Sequence, residues 1–277
     1  SLALLVRLRP RLVVGVGGYS SGPIVLLASF LRIPTLILEQ NARPGFTNRT
    51  LARRVRAAVA AFDPPPAEFR GKAVVLGNPV RDEFYALTPK RHEGGRLALL
   101  VFGGSQGSHF LNTALTSALP RLAAAREKLD IVHQTGPADH GAVAAEYRRH
   151  GFDPAGAVPF IDAMAERFAA ADLIVCRAGA TSCAEIIAAR RASILVPFAG
   201  AAEDHQTRNA RILEAAGGAR HDDVDPVRPA HTDLQTLAET GVDIGDGRDV
   251  PVSLVRAEVC QQQLVPGMLR QHALQQL

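Results

Sequence analysis

The sequence has no tryptophan, only three cysteines, and few aromatic residues, which make up 5% of its 277 residues. Three cysteines without zinc-ligand spacing cannot form a disulfide framework, so we expect a reducing compartment. Cys176, Cys183 and Cys260 are expected to be small buried hydrophobic residues. Because the arginines are not interleaved with aromatic side chains, the composition is not that of a nucleic-acid-binding protein, and no nucleic-acid partner is expected.

Long hydrophobic runs are also missing. The run over residues 22–31 is too short to cross a bilayer, which takes about 18 apolar residues. Hydrophobic residues still make up 47% of the chain and charged residues 21%, which excludes wholesale disorder. The chain begins at Ser1 with a pattern typical of a helix end, which Pro10 stops, so we expect that a preceding segment is missing.

Positive charge is concentrated in the first part of the chain. Residues 1–100 carry 15 Lys and Arg against 6 Asp and Glu, a net charge of +9, whereas residues 101–277 carry 16 against 21, a net charge of −5. Such an asymmetry favours an anionic partner for the first part, although arginine-rich, solvated helix faces would explain it as well.

Short apolar segments alternate with helical patterns, which indicates parallel sheets covered by helices on both faces, an α/β fold. We expect an incomplete first domain over 1–85, a linker over 86–96, a second domain over 97–218 and an atypical tail over 219–277. A leucine stripe predicts a helix after Gly107. The predicted strands are 12–16, 35–38, 73–76, 97–102, 131–133, 158–161, 173–176 and 193–196.

Two glycine-rich segments follow predicted strands, at 14–23 and 101–107. Glycines let the backbone approach a ligand closely, and free N–H groups at a helix start bind phosphate. Tight strand–helix turns contain glycines without any ligand as well, so each segment alone is a modest indication. Neither has the spacing of a dinucleotide-binding or Walker loop, which counts against NAD and ATP.

Polar residues follow other predicted strands, where α/β folds place their ligands. They occur at 39–41, 77–81, 176–185 and 203–209. In the third segment Glu185 is placed to accept hydrogen bonds from a ribose diol, but Ser182 and Glu185 also have the spacing of a capping box. Arg81 could neutralise a diphosphate or be an ordinary surface arginine. Together these segments indicate a phosphorylated ligand in a cleft between two domains.

Seven of these segments, in this order, resemble the MurG family, the glycosyltransferase family 28 enzymes of GT-B architecture. The resemblance spans about residues 1–218 and implies two Rossmann-like, doubly wound domains that face a cleft. The segments are 17–23, 39–41, 77–81, 103–107, 160–162, 177–180 with Glu185, and 204–206.

The resemblance implies transfer of N-acetylglucosamine from UDP-N-acetylglucosamine to undecaprenyl-linked lipid I, which gives lipid II for peptidoglycan. It implies inversion at the anomeric carbon and no metal or other cofactor. For the donor it implies sugar contacts by Asn41 and Gln206, a uracil contact by Ile161 and a ribose contact by Glu185. It implies diphosphate contacts by Arg81 and by the N–H of Ser105, at the start of a helix. The remaining residues implied to line the donor are Gly179, Ala180, Thr181, Ser182, Cys183 and Ala184.

On the acceptor side the sequence departs from the family. The first glycine-rich loop of the family, with its candidate general base, lies before Ser1, so no base can be named and little transfer is expected of this chain alone. An anionic membrane surface on the cytoplasmic face of the plasma membrane is the implied location, with the protein bound peripherally. The residues implied on this side are Gly17, Gly18, Tyr19, Ser21, Glu39 and Gln40.

Three other interpretations remain. One is another GT-B enzyme, such as a glycolipid or natural-product glycosyltransferase or an epimerase of related fold, which donor specificity would separate. The second is a UDP-sugar-binding fragment without catalysis. The third, a dinucleotide-dependent oxidoreductase, lacks its glycine fingerprint.

Overall fold

A computed structural model describes residues 1–90, 92, 94–198, 201, 204–216 and 220–221. The helices and strands alternate along the chain as the sequence predicts. The helices are α1 Leu2–Leu8, α2 Ser21–Phe30, α3 Phe46–Leu51, α4 Asp82–Tyr85, α5 His109–Leu122, α6 His140–Arg149, α7 Met164–Ala170, α8 Ala180–Ala189 and α9 His205–Ala215. The strands are β1 Val13–Gly15, β2 Thr35–Glu39, β3 Ala57–Ala60, β4 Ala73–Val75, β5 Leu97–Phe102, β6 Leu129–Gln134, β7 Ala157–Val158, β8 Leu173–Cys176, β9 Ser193–Leu195 and β10 Arg220–His221.

The strands form two parallel sheets. The first has the order β1-β2-β3-β4, and the second has the order β10-β9-β8-β5-β6-β7. All strand pairs of both sheets are parallel, so the loops at the carboxyl ends of neighbouring strands gather along one edge of each sheet. The predicted α/β fold is confirmed.

Apolar side chains cover both faces of the second sheet. β5 alternates its contacts between two clusters: Leu99 and Val101 pack on one face, and Leu100 and Phe102 pack on the other. The first sheet has its own cluster around Val25, Ile37 and Phe69. A strand buried on both faces must be apolar throughout, which explains why β5 was predicted with its exact limits.

The leucine stripe of α5 is also confirmed. Leu111, Leu115 and Leu119 are buried; Leu115 and Leu119 belong to a cluster on the second sheet, and Leu122 packs at its margin. Ser108 is the N-cap, and its Oγ accepts a hydrogen bond from the N–H of Leu111 at 3.4 Å. The helix therefore begins at His109, directly after its cap and two residues after the glycine-rich turn ends at Gly107.

Several local predictions need correction. β3 was missed because its sequence, Ala-Ala-Val-Ala, lacks the β-branched enrichment that identifies strands. The strand predicted over 158–161 ends at Val158, and residues 159–161 already lie beyond it. β10 lies just inside the predicted tail, so regular structure continues past residue 218. The rest of that tail, with Cys260, lies outside the described residues, whereas Cys176 and Cys183 are buried as predicted.

The segment after the first sheet packs on the second. Phe84 of α4 belongs to the cluster that contains Phe168 of α7, and the two rings meet edge to face at 5.0 Å. Arg190 and Arg191 then donate hydrogen bonds to the carbonyl oxygens of Leu87 and Thr88. These contacts fasten α4 and the residues after it to the second sheet, while the domain limits remain a prediction.

Candidate functional site

The two sheets meet across a cleft. Its first wall contains Ala61 and Phe62, which follow β3, and Gly77 and Asn78, which follow β4. Its second wall is α8, which contributes Ala180, Ala184, Ile187 and Ala188 from one side of the helix. Small side chains on that side let a ligand approach the helix backbone. The cleft predicted between two α/β units is therefore present, at the ends of the strands.

A hydrogen-bonded group at the end of β2 links the two sheets. The buried carboxylate of Glu39 accepts hydrogen bonds from the Asn41 N–H at 3.0 Å and from Asn48 Nδ2 at 2.8 Å. Burial raises the pKa of Glu39, and these hydrogen bonds oppose the rise. Asn41 Oδ1 in turn accepts a hydrogen bond from Asn209 Nδ2 of α9 at 3.2 Å. Asn41 is thus held by Glu39 at the end of β2 and by Asn209 of α9, which packs on the second sheet.

Asn209 was not singled out from the sequence. It is fully buried, and its Oδ1 accepts from the N–H of Ala42 at 2.9 Å while its Nδ2 also donates to the Ala178 carbonyl at 3.1 Å. One amide therefore ties the loop after β2 to the loop after β8. Asn209 ends the polar segment 203–209, but nothing in that segment's spacing shows that it contacts the loop after β2.

The glycine-rich turn over 103–107 follows β5 and lies at the second sheet's edge. Gly104 and Gly107 have φ values of +98° and +76°, which side chains rarely adopt. A Cβ added to Gly107 would collide with the carbonyl oxygen of Thr135, and one added to Gly136 would collide with that of Gln106. These glycines are required by close packing of two backbone turns, which also leaves residues 104–106 exposed.

Ser105 lies in this exposed turn, not at the start of α5 as predicted. The helix begins at His109, so the N–H of Ser105 belongs to the turn, and Ser108 has the cap position instead. The error arose because glycine-rich turns usually run directly into their helix. A phosphate contact by Ser105 would thus come from the turn.

Arg177, at the end of β8, was quoted in a motif but given no role. Its Nε donates to Ser108 Oγ at 3.1 Å, and its Nη1 donates to the Pro197 carbonyl at 2.9 Å. The guanidinium carbon lies 4.9 Å from the ring centre of Phe110 and 5.5 Å from that of Phe198. Burial lowers the pKa of Arg177. The side chain therefore fastens the cap of α5 to the loop after β9.

The start of α8 differs from the capping box considered above. Gly179 is the N-cap and the helix begins at Ala180, so Ser182 lies inside the first turn and Glu185 in the second. The capping-box interpretation is wrong, and Glu185 is left with its side chain 15% exposed near the cleft. Residues 179–184 form the first turn and its cap, with Thr181 exposed and Cys183 buried.

Arg81, the N-cap residue of α4, approaches Glu185 of α8. Its Nη2 lies 3.9 Å from Glu185 Oε1, while its Nη1 is paired with Glu83 Oε1 at 2.8 Å. Burial is the main reason that the pKa of Glu185 is raised; Arg81 lowers it and Glu83 raises it. The Arg81 side chain is more than half exposed, so its charge remains available to a ligand in solution. A cation at the start of α4 and a carboxylate of α8 thus lie side by side next to the cleft.

Ile161 follows β7, the edge strand of the second sheet, and Gln206 follows β9 near the opposite edge. The side chain of Ile161 is buried in the core, and its N–H donates to Gln134 Oε1 at 2.9 Å, so neither group is available to a base in this structure. Gln206, in the first turn of α9, accepts a hydrogen bond at Oε1 from the Phe198 N–H at 2.9 Å. Gln206 follows a strand as predicted, whereas Ile161 was predicted inside a strand and lies beyond its end. The described hydrogen bonds of both residues go to other residues of the protein.

The residues predicted on the acceptor side stay with the first sheet. Gly17 and Gly18 have positive φ values in the turn after β1, and Ser21 Oγ donates to the Gly18 carbonyl at 3.2 Å. Gln40 Nε2 donates to the Val16 carbonyl at 3.1 Å, which ties this turn to the end of β2. Tyr19 is 86% exposed. Their described contacts hold this turn in place, whereas Asn41 binds Asn209 of α9 and Arg81 approaches Glu185 of α8.

Known proteins share both halves of this arrangement. Residues 98–230 match the glycosyltransferase family 28 C-terminal domain, and residues 1–60 match the glycosyltransferase family 28 N-terminal domain. A crystal structure of Acinetobacter baumannii MurG is 31% identical, with a TM-score of 0.69 over 96% of this chain and 72% of that one. The chain belongs to glycosyltransferase family 28.

Curated family 28 relatives are more similar in sequence. The UDP-N-acetylglucosamine–N-acetylmuramyl-(pentapeptide) pyrophosphoryl-undecaprenol N-acetylglucosamine transferase of Anaeromyxobacter sp. (strain K) is 50% identical over 223 residues, and that of Myxococcus xanthus is 48% identical. Each match covers 79% of this chain and 57% of the relative, so the chain spans somewhat more than half of their length. The UDP complex of S. aureus MnaA, at 12% identity and a TM-score of 0.57, shares the fold.

Proposed function

We propose that this chain forms the donor site of a UDP-N-acetylglucosamine:lipid I N-acetylglucosaminyltransferase, which produces lipid II for peptidoglycan synthesis. The observation that carries the proposal is the approach of Arg81, at the start of α4, to Glu185 of α8, the helix that lines the cleft. A nucleoside diphosphate presents a diol and a diphosphate, which need a hydrogen-bond acceptor and a cation respectively. The family 28 relatives named above support the choice of donor and acceptor.

The donor would extend along the carboxyl edge of the second sheet. Glu185 would accept hydrogen bonds from the ribose hydroxyls, and Arg81 would face the diphosphate once it exchanges Glu83 for the ligand. The exposed turn around Ser105 would offer N–H groups to a phosphate. Asn41 and Gln206 would contact the sugar, and the backbone at Ile161 would bracket the uracil while its N–H keeps the hydrogen bond to Gln134.

Transfer would proceed by displacement at the anomeric carbon. A hydroxyl oxygen of the acceptor sugar forms the new bond to that carbon as the bond to the UDP oxygen breaks, and UDP leaves with the electron pair. Arg81 and the N-terminal end of α8 would stabilise the negative charge that UDP gains. The hydroxyl proton passes to a general base, for which the described residues offer no assignment.

The acceptor side would lie at an anionic membrane surface. Residues 1–100 carry the net positive charge, and part of their apolar surface is exposed: Leu4 and Leu8 of α1, and Phe30, with the Arg54 guanidinium 4.7 Å from its ring centre. Within the described residues no helix is long and apolar enough to span a bilayer. We propose peripheral binding at the cytoplasmic face, driven by charge and these side chains together. Vesicles with anionic lipid should bind the chain in a salt-dependent manner, and equal binding to zwitterionic vesicles would contradict this.

Calorimetric titration with UDP-N-acetylglucosamine tests the donor proposal, with UDP-galactose and NAD as controls. Saturable binding selective for UDP-N-acetylglucosamine is expected. Equal binding of UDP-galactose would favour another GT-B UDP-sugar transferase. The absence of binding by a chain that circular dichroism shows to be folded would contradict the proposal.

A further inference from the structure

Gln134, the last residue of β6, joins two loops of the proposed donor site. Its side chain is 1% exposed, and both ends of its amide are used. Nε2 donates to the carbonyl oxygen of Gly104 at 2.7 Å, and Oε1 accepts from the N–H of Ile161 at 2.9 Å. Gly104 belongs to the turn proposed to face a phosphate, and Ile161 to the loop proposed to face the base. A single planar amide therefore connects the two ends at which a nucleotide would be held.

These two hydrogen bonds lie outside the ladder of the sheet. The backbone of Gln134 pairs with Phe102 of β5 and Val158 of β7, and both strands end at or beside that pairing. The loops that follow the two neighbouring strands leave the sheet on either side of β6. The Gln134 side chain spans the gap between them, where backbone pairing has stopped.

The opposite side of the phosphate turn has a separate anchor. Asn112 Nδ2 donates a hydrogen bond to the Thr135 carbonyl oxygen at 2.8 Å. The same oxygen packs directly against Gly107. Asn112 thus holds the end of the turn that leads into α5. The beginning of the turn, at the exposed Gly104, is held by Gln134, so the two anchors act on different ends.

We propose that Gln134 is a positioning residue that sets the distance between the phosphate turn and the base loop, so that one uridine diphosphate fits both. The inference rests on the proposed function, because it assumes that these two loops hold the donor. Gln134 itself would not contact the ligand. Loss of the Gln134 side chain should therefore lower the affinity for UDP, which binds both loops, and leave the affinity for uridine, which binds only the base loop, largely unchanged.

Gln134→Glu separates the two links. The shapes of the two side chains are the same, and Glu keeps an oxygen that can accept from the Ile161 N–H. An ionised carboxylate cannot donate to the Gly104 carbonyl, whereas a protonated one can. At pH 8.5 the link to the phosphate turn should be broken, and at pH 5.5 it should be restored to the extent that the buried carboxyl takes up a proton. Ser117→Glu, on the exposed face of α5, adds the same charge away from both loops.

The measurement is the affinity of the full chain for UDP and for uridine at both pH values, by calorimetry with competition for the weaker ligand. Relative to the unaltered chain, Gln134→Glu should bind UDP roughly tenfold more weakly at pH 8.5, the cost of one buried carbonyl left without its donor, and recover at pH 5.5. Uridine affinity should change less than threefold, and Ser117→Glu should match the unaltered chain throughout.

Equal losses for UDP and uridine, or a UDP loss that is the same at both pH values, would overturn the proposal, because a general weakening of the fold would produce either. If Gln134→Glu does not fold, Gln134→Met removes both links without charge. It should then bind UDP little better than uridine at either pH, and an undiminished preference for UDP would overturn the proposal. If the unaltered chain binds no UDP, the proposed function fails first and this inference fails with it.

Discussion

Replacing Glu185 by alanine should weaken UDP binding by about a hundredfold. The carboxylate lies in the second turn of α8 and is mostly buried. Arg81 Nη2, at the start of α4, lies 3.9 Å from it. The truncation removes the proposed acceptor for two ribose hydroxyls. It leaves the N-cap and the first turn of α8 unchanged, so the helix itself should be retained.

The magnitude follows from the geometry of the site. Hydrogen bonds to a charged group contribute about 1.5–3 kcal/mol each, and two bonds to the diol give about 3 kcal/mol at the lower end of that range. The lower end applies because the side chain is 15% exposed and water competes for it. Since each 1.4 kcal/mol corresponds to a factor of ten, about 3 kcal/mol corresponds to roughly a hundredfold.

The assay is a cycle that compares UDP with 2′-deoxy-UDP in the unaltered chain and in Glu185→Ala. The unaltered chain should prefer UDP, and the variant should bind both ligands equally, because the acceptor for the missing hydroxyl is gone. Glu83→Ala is the matched control: Glu83 also pairs with Arg81, at 2.8 Å, but is half exposed. Its removal should leave the preference for UDP intact.

An unchanged preference for UDP in Glu185→Ala would refute the assignment of the ribose to Glu185. Equal weakening of both ligands would also refute it, because the carboxylate would then act through the helix or through Arg81 rather than on the diol. A second readout is pH. Burial raises the pKa of Glu185, so on acidification its carboxylate is protonated at a higher pH than that of an exposed glutamate. UDP affinity should fall at that higher pH.

Three further outcomes are expected. Asn209→Ala should lower the free energy of unfolding by about 3 kcal/mol, because it leaves buried partners in both sheets unpaired; denaturant titration measures this, and an unchanged midpoint would contradict the link. Gly107→Ala should abolish UDP binding, whereas Gly104→Ala, where a Cβ meets open space, should be milder; equal effects would argue against backbone packing. Burial lowers the pKa of His133 from 6.5 to about 4, so between pH 6.5 and pH 4 this histidine is protonated in the unfolded chain but not in the folded one. The free energy of unfolding should therefore fall by up to about 3 kcal/mol as the pH is lowered from 6.5 to 4. His133→Gln should flatten that dependence.

The sequence was most informative where a single physical requirement decides the residue type. β5 and β8 are buried on both faces, so continuous apolar runs fixed both of their limits. The stripe of α5 repeats with the helical period because one face packs on the sheet. β3 escaped prediction because alanine favours helices and is depleted in strands, so that only pairing with β2 and β4 reveals its state.

The sequence predicted where the residues of the candidate site lie in the fold, but not which of them contact one another. Residues after the strands did gather at one edge, because parallel strands bring their carboxyl ends together. Which polar groups bind one another depends on the approach of distant segments, as for Asn41 with Asn209 and for Arg81 with Glu185. The expected cap at Ser182 failed for the same reason: spacing alone does not reveal that the helix already starts after Gly179.

The central claim is that the donor binds at the carboxyl edge of the second sheet, between the two sheets. Hydrogen–deuterium exchange of the full chain with and without saturating UDP-N-acetylglucosamine tests it most directly. Added protection is expected in segments 103–107, 160–162 and 179–185, with less change in α6. Protection confined to the turn at 15–23, or the same protection from NAD, would contradict the account.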